Sequence, residues 1–104
     1  MAVAPGYIRD VAKKALADRE TLPPSRRAGT LVGLARANQL ASGEDLSLST
    51  LIRMRSYLSR AKSNYRQAKQ RGLDNKTSKA IQAYNLWGGD RALAWVNKEI
   101  KKQQ

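Results

Sequence analysis

From Leu51 to Ala68 the apolar residues step by three and four: Leu51, Met54, Leu58, Ala61, Tyr65, Ala68. At about 100° per residue they fall in one sector of an α-helix, so they mark a single buried stripe. Ser47 or Ser49 is the expected N-cap, because a short hydroxyl accepts from the free amides of a first turn. The pattern reaches about Gln70, and Gly72 is the expected stop. About 22 residues at roughly 1.5 Å each would span about 33 Å. Ser63 and Asn64 are weak helix formers near its middle, so a break there is the alternative to one continuous helix. A helix with one apolar stripe has to bury that stripe against other elements, which sets the fold problem for the rest of the chain.

The remainder of the 104 residues reads as four more helices. The one alternating stretch, Asp45 to Ser49, is short and runs straight into the helical pattern. A first helix is expected from about Tyr7 to Glu20, with Ile8, Val11, Ala12, Ala15 and Leu16 on one side. Pro23-Pro24 stops it, since proline lacks the amide and disfavours helical geometry in its neighbour. The second runs from about Thr30 to Ala41 and ends at Ser42-Gly43. The fourth covers about Ser78 to Trp87, with Thr77 as its expected cap and Gly88-Gly89 as its end. Asp90 is expected to cap a fifth helix, Arg91 to about Lys101, whose seam is Leu93, Val96 and Ile100. Residues 1–104 thus read as one all-α domain, ordered over about 7–101. The expected architecture is a small orthogonal bundle of four to five helices with one long basic helix.

The chain has no Cys, no His and no Phe. Zinc fingers, disulfide scaffolds, thiol nucleophiles and imidazole bases are therefore excluded. The carboxylates are scattered, and no glycine-rich phosphate loop with Lys-Ser/Thr is present. The expectation is a binding protein and not an enzyme, with no catalytic residue, metal site or cofactor. No apolar run approaches the roughly 20 residues of a membrane span, and the start is too short and uncharged for a signal peptide. A soluble intracellular protein without a membrane partner is expected.

Charge names the class of partner. Twenty Lys and Arg oppose eight Asp and Glu, a formal +12. Nine of the cations lie between positions 53 and 79: Arg53, Arg55, Arg60, Lys62, Arg66, Lys69, Arg71, Lys76 and Lys79. Only Asp74 opposes them. Arg55, Lys62 and Lys69 are seven apart and rise along nearly one line of the third helix, with Arg66 beside it. Arg53, Arg60 and Arg71 lie opposite the apolar stripe, so the exposed two thirds of this helix reads as positive almost all round. No i+4 acid neutralises them, and the self-repulsion would be relieved by a polyanion. Nucleic acid is the expected partner, duplex DNA in preference, through phosphate contacts with little base readout. An acidic host or virion protein is the alternative, and a structural role against packaged genome is a third. Exposed Leu, Met or Trp beside the basic ridge would favour the protein; an uninterrupted Lys and Arg surface would favour DNA.

Leu34 to Ala41, a turn at Gly43, then Leu46-Ser47-Leu48-Ser49-Thr50-Leu51-Ile52-Arg53 has the cadence of a helix-turn-helix. On that reading Ser49 and Thr50 are candidate base-readout residues at the start of a recognition helix. Tyr65, Tyr84 and Trp87 fall on core stripes, whereas Tyr57 and Trp95 are least committed to the core.

Four stretches carry a family resemblance: Gly33 to Gly43, Leu46-Ser47 with Thr50, Arg53-Met54-Arg55-Ser56-Tyr57-Leu58-Ser59-Arg60, and Tyr84 to Asp90 with Ala94-Trp95. In this pattern, over about Thr30 to Val96, the chain resembles a small family of helical proteins encoded by tailed bacteriophages. The Leu86-Trp87-Gly88-Gly89-Asp90 block is its most specific part, read as a helix, a double-glycine reversal and a recapped helix whose tryptophans pack together. The resemblance implies a helical fold, a phage origin and hence the cytoplasm of an infected bacterium or a virion. It implies no activity. In that family the segment after the "SY..R" motif tends toward His and acidic residues; here Ala61 to Lys69 is helical and basic. No metal or acid–base role is carried over.

Overall fold

The computed structural model describes residues 2–103. Its five α-helices are α1 (Gly6–Glu20), α2 (Leu31–Ser42), α3 (Leu48–Gln70), α4 (Lys79–Leu86) and α5 (Asp90–Gln103), with a 3-10 turn at Pro24–Arg26. Among the described residues the only β contact is an isolated antiparallel bridge, Val3 to Asp45. The protein is a small all-α bundle.

The Leu51–Ala68 stripe forms one unbroken helix. The 23 residues of α3 extend about 34 Å at ~1.5 Å per residue, most of the molecule's longest dimension of 40 Å. Ser47 is the cap, its Oγ accepting from the Thr50 amide at 3.2 Å. Ser63 and Asn64 leave the helix intact because both stay in solvent, where their low propensity costs little. Leu51, Met54 and Leu58 are fully buried. Further along, the Tyr65 ring stacks on Tyr84 of α4 at 4.3 Å between centroids.

The other helices close over this stripe. α5 lies along α3, and α1 packs on α2 and α4. Fully buried Ala12, Ala15, Ala37 and Ala92 mark the helix contacts, where small side chains let the axes approach. On α5 the buried seam is Ala92, Val96, Glu99 and Ile100, with the expected Leu93 only half-buried. The packed core also reaches upstream of Tyr7. Ala2 and Ala4 are buried, the Ala2 amide donates to Asp45 Oδ1 at 2.6 Å, and the Leu46 amide donates to the Ala2 carbonyl at 2.8 Å. Asp45 is thereby committed to holding the N-terminal arm.

Two of the expected caps shift by one residue. Ser78, not Thr77, caps α4, accepting from the Ile81 amide at 3.2 Å. Thr77 is taken by the preceding Asp74 turn, where its hydroxyl accepts from the Asp74 amide at 2.8 Å and donates to Asp74 Oδ1 at 2.9 Å. Asp90 opens α5 instead of preceding it. Gly88 and Gly89 make the reversal at φ of +107° and +84°. A Cβ on Gly88 would lie 2.8 Å from the Ala92 Cβ and 3.0 Å from Ile8, so this corner needs glycine for its conformation and for space.

A buried polar network fastens the short α4. Gln82 is 1% exposed. Its Oε1 accepts from the Ala28 amide at 2.7 Å, and its Nε2 donates to the Asn75 carbonyl at 3.0 Å. The Asn75 side chain donates to Asp18 on α1 at 3.0 Å and accepts from Asn85 at 2.8 Å. No described helix is long and apolar enough to cross a membrane.

Candidate nucleic-acid interface

Continuity of α3 decides how the cations are displayed. At about 100° per residue, Arg55, Lys62, Arg66 and Lys69 fall on one flank of the apolar stripe, and Arg53, Arg60 and Arg71 on the other, about 160° round the axis. All are exposed except Lys62, which is half-buried. Between the rows, facing straight out, run Ile52, Ser56, Ser59, Ser63, Gln67 and Gln70, all exposed and neutral. The surface is therefore not positive all round, as the residue count implied. It is two cationic rows with a strip of short or neutral side chains between them.

None of these cations is spent on an ion pair. Among the described residues the ion pairs are Lys14 with Asp18 at 3.1 Å and Lys102 with Glu99 at 3.0 Å, both elsewhere. Arg60 Nε donates only to the Ser56 carbonyl of its own helix, at 3.2 Å. Asp74 is exposed, but its carboxyl is engaged by its own turn. The Thr77 hydroxyl and the backbone amides of Lys76 and Thr77 hold its carboxyl below the usual carboxylate value.

Lys76 and Lys79 do not extend either row. They flank the start of α4 and share a separate concavity of about 340 Å³ with Arg26, Thr77 and Ser78. Arg26 was not legible as a member, because it arrives from the 3-10 turn far away in sequence. Ser49 is exposed at the start of α3, but the Thr50 hydroxyl is engaged by Ser47 Oγ at 3.0 Å and Thr50 is half-buried. The outward strip lies further along the helix.

The aromatic residues take different partners from those expected. Trp87 does not stack with Trp95. It stacks on Tyr57 of α3 at 4.5 Å with the rings 16° apart, and Arg36 of α2 lies over its ring at 5.4 Å. Trp95 lies with Tyr7, Arg91 and Lys98 around another concavity, where the Arg91 guanidinium sits 3.8 Å over the Tyr7 ring. Arg36 is a residue that sequence reasoning missed. It is 6% exposed, donates to the Gln39 side chain and has no partner for Nε. Burial, then the nearby charge of Arg53, lowers its pKa from the ordinary arginine value. The signal was its register: Gly33, Ala37 and Leu40 are buried, and Arg36 shares their face.

A groove of about 660 Å³ opens between α3 and the start of α2. Arg53, Ser56, Tyr57 and Arg60 form its α3 side, Gly29, Thr30 and Val32 the opposite side, with Ala83 and Trp87 completing the lining. Comparison with protein-family models, with curated proteins and with solved structures finds no match to this chain.

Proposed function

We propose that this protein binds duplex DNA by laying α3 along the major groove, mainly through phosphate contacts and with little sequence preference. One observation carries the reading: an unbroken helix bears two rows of free cations on opposite flanks of a neutral, exposed strip. A helix with its side chains is about 10–12 Å across, and the major groove of B-DNA is about 12 Å wide. With the strip facing the base edges, the two rows reach toward the phosphates of the two groove walls. Each contact releases condensed counterions, which supplies affinity without sequence information. Ser and Gln on the strip fit against base edges without bulk or charge, and Gln67 and Gln70 can hydrogen-bond them. Arg26, Lys76 and Lys79 add a second group of phosphate contacts. Duplex RNA fits poorly, because its major groove is deep and narrow. The resemblance to phage proteins supplies the setting: the cytoplasm of an infected bacterium, where host and phage duplexes are both present.

The reading is tested by titrating labelled duplex DNA, duplex RNA and single-stranded DNA with the protein and with two row variants. One combines Arg55→Ala, Lys62→Ala, Arg66→Ala and Lys69→Ala; the other Arg53→Ala, Arg60→Ala and Arg71→Ala. Each is expected to weaken duplex DNA binding at least about tenfold while the helical circular dichroism is kept. Equal binding to duplex RNA and DNA, or loss in one row variant alone, would contradict the two-walled geometry.

A further inference from the structure

We propose that the groove between α3 and the start of α2 docks a segment of a partner protein in which an apolar side chain lies between two carboxylates. This goes beyond DNA binding and shares only Arg53 and Arg60 with it. The floor is aromatic and already braced: Tyr57 stacks on Trp87, and Arg36 lies over the Trp87 ring. Such a stack needs no reordering to receive a side chain, which favours binding. The wall is apolar and exposed. Val32, in the first turn of α2, lines the groove and is 52% exposed. Phosphate and sugar gain little from such surface, whereas an apolar side chain of a protein does. Val32 thus stands beside Arg53 and Arg60 of the basic ridge, an exposed apolar residue of the kind a protein-docking face presents.

Charge complementarity fixes the occupant further. Arg53 and Arg60 line the groove, make no ion pair among the described residues and stand seven residues apart, about 10.5 Å along the helix. Tyr57 lies between them. Their planar forks match carboxylates in bidentate geometry. The buried charge of Arg36 lies close enough to Arg53 to feel it, so an anion in the groove relieves a repulsion that the fold leaves standing. The matching segment therefore presents two carboxylates about 10 Å apart. Side chains of an extended chain alternate faces, so acids that share a face with the apolar residue between them stand four positions apart, about 13 Å at about 3.3 Å each. The flexible acidic and arginine side chains close the remaining distance, and the apolar residue is set down on Tyr57. Arg53 and Arg60 also belong to the second cationic row, so this segment and duplex DNA compete.

The probe is a capped peptide containing Glu-Ala-Leu-Ala-Glu, added to isotope-labelled full-length protein and followed by backbone amide shifts. Shifts centred on Thr30, Val32, Ser56 and Tyr57 are expected, with affinity at least about tenfold weaker when both Glu become Gln or when Leu becomes Ser. Val32→Ser is expected to weaken the peptide and leave duplex DNA binding unchanged. Lys62→Ala with Arg66→Ala is expected to do the reverse, so this site and the DNA reading fail separately. Absence of shifts at millimolar peptide would overturn the proposal. So would shifts spread equally over Lys62, Arg66 and Lys69, or a Val32→Ser variant that loses duplex DNA instead of peptide.

Discussion

Tyr84 is fully buried, and its hydroxyl has no partner. A buried donor left unpaired costs about 1–3 kcal/mol. Tyr84→Phe keeps the ring that stacks on Tyr65 and removes the orphan, so it is expected to raise unfolding stability by about 1 kcal/mol in a urea titration. Burial also pushes this hydroxyl up to about 12 from an ordinary 10.0, and the charge of Asp90 acts in the same direction. The folded state thus holds the proton more tightly than the unfolded chain. Its contribution is complete below about pH 10 and is lost as pH rises through about 12. Thermal melts of wild type and Tyr84→Phe in that window should differ increasingly with pH, the variant lacking this alkaline loss. Gly88 is the opposite case, a residue that tolerates nothing added. Gly88→Ala imposes a φ that L side chains rarely adopt and drives a methyl into Ala92 and Ile8. A loss of about 3 kcal/mol is expected by the same urea titration.

Helices were legible where their signals were local. The three-and-four spacing of Leu51 to Ala68, the serine ahead of it and the glycine after α2 are properties of neighbouring residues, and each survives in the fold. Caps moved where a competing local bond existed, as at Thr77, which the Asp74 turn claims first. The network on Gln82 and Asn75 was not legible, because its partners Ala28 and Asp18 lie more than fifty residues away. That network makes a pH prediction. The hydrogen bond from Asn75 is the largest cause holding the Asp18 carboxyl below its ordinary 3.8, against a smaller opposing effect of burial. A lowered pKa in the folded state contributes stability that is complete above about pH 4 and lost as pH falls through the folded value. Asn75→Ala is expected to cost about 2 kcal/mol near neutrality, since it also strands Asn85. The gap from wild type should narrow on acidification below about pH 4. A gap that stays constant with pH would remove Asp18 from the explanation.

Across the whole molecule, twelve net positive charges sit on a framework with an extent of 40 × 25 × 21 Å. The cations at 53–79 were legible as a group because a helix turns spacing into direction. Their division into two rows and a separate cluster needed the packing of α3 against the other helices. The groove was still less legible, since its lining comes from the start of α2, from α3 and from α4 with Trp87, which only the fold brings around one space. The central claim is that the two rows grip the walls of a DNA groove, and salt tests it most directly. Anisotropy of a labelled duplex would be measured against protein between about 50 and about 200 mM salt. Four or more simultaneous phosphate contacts require a log–log slope of about −3.6 or steeper, falling by about 0.9 for each contact removed from either row. A slope near zero, or no binding at about 50 mM salt, would contradict the claim.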